Sequence, residues 1–216
     1  PPSSSGFTPC SDRAWNLATT LYYKAGGKPW KLASARPGVC YVGLAFKRAD
    51  YAAASRTACC AAQMFLDTGD GVVFRGQYGP WYSPETRQFH LDSSAAEQLL
   101  RGVLLAYSEQ HGQPLREVFL HSRSSIDADE FRGFQNACPE GVNLVGIRVA
   151  ADRHGVRLYR GGDWPLLRGT LWTVSPRTAY LWTSGFKPSS LTYDGWEVPA
   201  PLRIDVQHGN ADVHQV

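Results

Sequence analysis

Apolar positions recur along the chain with two periods. Spacings of three and four predict helices, and short apolar runs bounded by turn residues predict strands. Ser11 or Asp12 caps a helix on which Ala14, Leu17, Ala18, Leu21 and Tyr22 share one face; Lys24 falls in its last turn, and Gly26-Gly27 followed by Pro29 stops it. Val39 to Phe46 is apolar apart from Gly43 and is followed by Lys47 and Arg48, which predicts a buried strand emerging at a cationic edge. "AQMFLDTGDGVVFRG" predicts a hairpin turning at Thr68 to Gly71, and the aromatic, proline-containing "QYGPWYSPETRQFH" predicts an irregular surface loop.

The second half continues the alternation. From Asp92 a helix ending before Gly112 places Ala96, Leu99, Leu100, Val103, Leu104 and Tyr107 on one face. "REVFLH" reads as a short buried strand, and a third helix capped near Asp127 carries Phe131, Phe134 and Cys138. "VNLVGIRVA" with "VRLYR", and "GTLWTVS" with "TAYLWTS", predict two strand pairs, and "PLRIDVQHG" a last strand. Strands interrupted by helices in this order predict an α/β domain, a mixed sheet with helices packed on its faces.

Composition narrows the function. With 216 residues and 43% hydrophobic content, the chain supports one substantial core. A net charge of +3 is only mildly basic, so the placement of cations matters more than their total. Five cysteines without a CxxC pair read as reduced structural thiols and predict no metal site, which with the lack of a leader or an apolar run of membrane length points to the cytoplasm. Nucleophile elbows, P-loops, dinucleotide fingerprints and HExxH are all missing, and the "GDG" at Gly69 to Gly71 is a turn. The chain opens without Met and stops in what reads as the first turn of a helix, the expectation for a segment of a longer polypeptide.

Several stretches together resemble Argonaute proteins. "AWNLATTLYYKAGGKPW" followed by "CYVGLAF" is similar to the junction between the last helix of the MID domain, with its Lys-x-Gly-Gly turn, and the first strand of the PIWI domain. "EVFLHSRSSIDADEFRGF" resembles the strand, loop and helix around the family's second catalytic aspartate. "GVRLYR" resembles its basic guide-contacting strand, and "RGTLWTVSPRTAYLWTSG" the segment where a Gly-Thr turn precedes two strands. The wording of "LYYKAGGKPW" and "LWTSGFKPSSLTYDGWEVPAPLRI" resembles short prokaryotic Argonautes. The resemblance implies residues 1–38 as terminal helix and linker from the MID side, and 39–216 as a PIWI domain of ribonuclease H-like fold whose C-terminal end lies beyond this chain.

Cleaving members of that family hold two divalent ions with an Asp-Glu-Asp-X set, because two ions must stabilise both the attacking and the leaving oxygen. Here the first aspartate position, two residues after Gly43, is Ala45, and the second is Arg123 or Ser124 according to a register of one. Glu85 alone falls near the glutamate position; Asp127 and Asp129 read as acids complementing a helix N-terminus. The resemblance therefore implies no metal and no cleavage at this site.

For guide binding it implies Lys24 at the 5′-phosphate and Arg157 at the backbone; Arg160 as a neighbour of Arg157, Lys187, Arg75 and, in the vacated metal site, Arg123 are further candidate contacts. Taken without the family, Lys24 is an ordinary helix-end cation, and Arg157 and Arg160 are charges too poorly placed for a core. The expected function is guide-directed recognition of a complementary target in prokaryotic defence, the chain itself not being an enzyme. Its partners would be a guide RNA or DNA, a target nucleic acid, expected to be DNA, and an effector protein or domain that receives the signal, with no membrane. No cofactor belongs to the chain, Mg²⁺ at the guide 5′-phosphate being a feature of the complete protein. The alternatives are an active metal-dependent ribonuclease H-like endonuclease and a guide-free interaction domain.

Overall fold

The computed structural model describes residues 10–27, 36–48, 57–66, 71–110, 114–152, 155–193, 195 and 197–216, apart from the side chains of residues 59, 75, 77 and 110. Its elements are α1 (Cys10–Lys24), β1 (Val39–Arg48), β2 (Ala58–Phe65), β3 (Gly71–Gly79), β4 (Tyr82–Ser83), β5 (Gln88–Phe89), α2 (Ser93–Gln110), β6 (Glu117–Ser122), α3 (Ala128–Ala137), β7 (Asn143–Ala151), β8 (Leu171–Ser175), β9 (Thr178–Leu181) and β10 (Leu202–His208). Eight strands form one sheet in the order β3-β2-β1-β6-β7-β10-β9-β8. β1, β6 and β7 run parallel and the outer pairs antiparallel, so the sheet is mixed.

Central parallel strands are covered on both faces, hence their nearly continuous apolar runs. Cys40, Val42 and Leu44 point from β1 into a core shared with Ala96, Leu100, Val103 and Tyr107 of α2 and with Phe131 and Phe134 of α3. Val39 and Tyr41, alternating with them, join Phe119, Val145, Ile147, Ala179 and Val206 on the opposite face, where Val213 and Val216 pack. Each fully buried Leu, Val or Phe in these layers contributes about 1.5–3 kcal/mol. Burial pushes the Cys40 thiol up to about 12; Cys60 is buried as well, whereas Cys10 is exposed.

Four sequence expectations change. The face of α1 carrying Leu17, Leu21 and Tyr22 meets no core among the described residues, and no residue of that helix is buried. The irregular loop is instead the end of β3 followed by the two-stranded β4–β5 ribbon. Aromatic packing holds that ribbon: Phe89 stacks on Phe46 at 5.3 Å and meets Tyr82 at 4.9 Å, and Trp81 is buried. "VRLYR" does not form a strand beside β7, because β6 and β10 already occupy both of its edges. Cys138 is only partly buried and closes α3 as its C-cap. The hairpin turn expected at Thr68 to Gly71 has its first three residues outside the described ones; its strands pair as anticipated, with Phe65 opposite Gly71.

α2 and α3 cross where Gly133 faces Ser93. A Cβ at residue 133 would stand 2.1 Å from the Ser93 carbonyl oxygen, so the closeness of the helices depends on the missing side chain. Inside a helix, Gly→Ala ordinarily gains about 1 kcal/mol. Gly133→Ala is expected to reverse that sign and cost roughly 1–3 kcal/mol through overpacking, read as a lower urea midpoint with an unchanged slope.

Candidate nucleic-acid interface

Parallel pairing of β1 with β6 places Val39 opposite Glu117 and continues to Gly43 opposite His121. Two residues beyond that last pair stand Ala45, still within β1 and opposite Ala61 of β2, and Arg123, just past the carboxyl end of β6; both are exposed. Crevices at such strand ends are where open α/β sheets place ligands. Ala45 faces the side of the sheet opposite Phe46, whose ring lies with the ribbon. Ser124, the other register choice, is partly buried, and its Oγ accepts from the Phe89 amide at 3.2 Å. A methyl, a guanidinium and an engaged hydroxyl are a poor donor set for a pair of divalent ions, which require several hard oxygen ligands. Glu85 sits exposed in the β4–β5 turn, where its Oε2 accepts from Ser83 Oγ at 2.9 Å.

The two acids of α3 behave as helix-end groups. Asp127 is the N-cap, its Oδ1 accepting from the Glu130 amide at 2.8 Å. Asp129 is exposed and paired with Arg132 one turn later.

Cations gather around the segment after β7. Asp152 accepts from the amides of Gly155 and Val156, forming a tight turn in place of the expected strand pair. Arg157 is partly buried, and its Nη1 donates to the carbonyls of Asp152 at 3.3 Å and Val156 at 3.0 Å, so part of its fork holds that turn. Arg160 is exposed, with its guanidinium 5.3 Å from the centre of the Phe186 ring, and Phe186 stacks on Trp164 at 4.8 Å. Lys187 follows directly, tied through its backbone amide to the Thr192 carbonyl. Tyr159 is 72% exposed and Trp164 43% exposed. Exposed aromatic faces beside arginines form the kind of surface on which unpaired bases stack and phosphates are neutralised.

Lys24 lies in the last turn of α1. The Gly27 amide donates to the Tyr22 carbonyl and the Gly26 amide to the Tyr23 carbonyl, a Schellman ending that uses the positive φ of Gly26. Lys24 is thus exposed at the negative end of a helix dipole. The side chain of Arg75 is outside the described residues; its backbone lies opposite Ala61 in the β2–β3 pair. The structure accordingly sets Ala45 and Arg123 two residues past the same β1–β6 pair, and places Arg160 on Phe186, next to Lys187.

Sequence reasoning missed the aromatic half of the second group, because tryptophan and tyrosine in a strand-rich chain read as core. It also missed His90 and Glu130. Glu130 stands three residues after an N-capping Asp127, the spacing of a capping box, which is a signal for helix ends but not for burial.

No protein-family model matches the chain, and no curated protein matches it in sequence. Solved structures do. Clostridium butyricum Argonaute bound to a guide DNA and a 19-mer target DNA superposes with a TM-score of 0.67 at 17% identity, over 92% of this chain and 25% of that one. A. aeolicus Argonaute gives 0.62 at 18% identity over 92% and 26%. Marinitoga piezophila Argonaute in complex with a 5′ OH guide RNA gives 0.59 at 12% identity over 92% and 29%. The chain spans about a quarter of the length of the Argonautes it matches. Its mixed sheet and flanking helices are the ribonuclease H-like PIWI fold of these proteins.

Proposed function

We propose that this chain is the PIWI region of a short prokaryotic Argonaute that uses a bound guide strand to recognise a complementary target without cutting it. The observation that carries this reading is that Ala45 and Arg123 each follow the Gly43–His121 pair of β1 and β6 by two residues, in a fold whose neighbours include one Argonaute bound to a guide and a target strand and another bound to a guide RNA. Two-ion phosphodiester cleavage needs carboxylates at the strand ends; these two residues supply a methyl and a positive charge, which favours a phosphate over a metal ion. Base pairing with the guide would choose the target, while the protein holds backbones through Arg160, Lys187, Arg123 and, at the guide's 5′-phosphate, Lys24. A protein that recognises without cutting needs an effector to act on the signal, so an associated effector in defence against foreign nucleic acid belongs to the same proposal.

The direct test uses the complete protein loaded with a guide and a matched target in Mn²⁺. The expected result is sequence-selective retention of an intact target. Scission opposite the middle of the guide would establish the endonuclease alternative, and retention independent of sequence would remove the guide from the account.

The cation–aromatic group gives a residue-level test. Arg160→Ala should weaken binding similarly for unrelated sequences and flatten the dependence of log K on log salt by about 0.7–0.9, the value for one phosphate contact. Arg157→Ala should instead lower the melting temperature, because it removes donors that hold the Asp152 turn. Titrations at several salt concentrations, with a thermal melt for each variant, separate the two.

A further inference from the structure

His90, Asp127 and Glu130 converge where the β5–α2 connection meets the start of α3; among the described residues they form the group whose ligand atoms all lie within 4.8 Å of one another. His90 Nδ1 is 3.5 Å from Asp127 Oδ2 and 3.6 Å from Glu130 Oε2. Both separations exceed the usual hydrogen-bond length, so His90 Nδ1 faces the two carboxylates without bonding to either. Glu130 is 2% exposed, and both its Oε2 and His90 Nδ1 are buried with no hydrogen-bond partner. Buried polar atoms without partners are rare in folded proteins and call for an explanation.

We propose that these three side chains form a binding site for one divalent transition-metal ion of the Zn²⁺ or Mn²⁺ class. Bonds of about 2.0–2.2 Å to a common ion place neighbouring ligand atoms about 3.0–3.5 Å apart, close to the two separations observed. One imidazole nitrogen with two carboxylates suits such an ion better than Mg²⁺ or Ca²⁺, which prefer oxygen alone. An ion would occupy the coordination left open at Nδ1 and Oε2.

The surrounding contacts hold the ligands in place, as metal sites require. The other oxygen of Glu130 accepts from the Leu91 amide at 3.2 Å, and the other oxygen of Asp127 caps α3. The His90 amide donates to the Trp81 carbonyl at 2.9 Å, fixing the backbone of the third ligand. The Asp127 side chain is half exposed, so it is both the entry side and the ligand able to close the remaining gap. The ion would clip the β5–α2 connection to α3, and with three protein ligands it keeps a coordination position for water. This assignment does not depend on whether the protein binds a guide.

The test titrates the chelator-treated full chain with Zn²⁺ and, separately, Mn²⁺, following stoichiometry by calorimetry and stability by thermal melting. One equivalent is expected, with a melting temperature raised by about 5–10 °C when the free metal is a hundredfold above its Kd. His90→Ala and Glu130→Gln should each weaken that binding at least tenfold. Glu130→Gln keeps an acceptor for the Leu91 amide, and Asp127→Asn keeps an N-cap while removing a charge, so weakening in these two variants at unchanged metal-free melting temperature comes from the ligand change. No binding by the wild-type chain, or binding undiminished in all three variants, would overturn the assignment, the second by placing the metal elsewhere, as on the exposed Cys10.

Discussion

Parallel hydrogen bonding of β1 to β6, with Gly43 opposite His121, is the constraint on which the molecule's chemistry depends. It aligns two strand ends that the chain separates by more than seventy residues. Register here admits no slip: a shift of one residue would turn Val42 and Leu44 out of the helix-covered core and bring Ala45 into it. Burial on both faces of the central strands therefore specifies which side chains stand at the crevice. The same core that stabilises the domain sets which side chains, Ala45 and Arg123 among them, stand at the crevice.

Around that frame, charge is sorted by what each cation touches. Arg177 donates through Nε to the Val206 carbonyl and through Nη1 to that of Gly209, and Arg36 pairs with Glu117 at 3.0 Å, so these cations hold β-strand termini together. Arg160 instead rests on an aromatic ring with its edge toward solvent, and Arg123 is exposed at the crevice. A net charge of +3 is small, but cations that bond to carbonyls and acids inside the fold do not act on a partner, whereas those placed on the surface do.

Much of the fold was legible in the sequence because it rests on strong periodicity. α2 buries Ala96, Leu100, Val103, Leu104 and Tyr107, all on the face its spacing predicts, and Asp127 caps α3 as its side-chain type suggests. What was not legible depends on distant neighbours. "VRLYR" alternates like a strand, yet the edge it would need is taken by β10, which lies more than forty residues onward. α1 has an amphipathic pattern that the described residues leave unburied. At the candidate site Ala45 and Arg123 were singled out through the family resemblance, whereas Arg160 on Phe186, and His90 with Asp127 and Glu130, join segments dozens of residues apart. A capping-box glutamate and a solitary histidine carry no mark in sequence that one will be buried against the other.

The role proposed for this fold is to hold a guide strand. It is tested most directly by extracting the nucleic acid that accompanies the complete protein when purified from cells under reducing conditions, measuring its length and end chemistry, and sequencing it. The account predicts short strands of narrow length distribution and uniform 5′ ends, present in near-stoichiometric amount. Its contradiction would be a protein pure of nucleic acid, or one carrying fragments of every length in proportion to their cellular abundance.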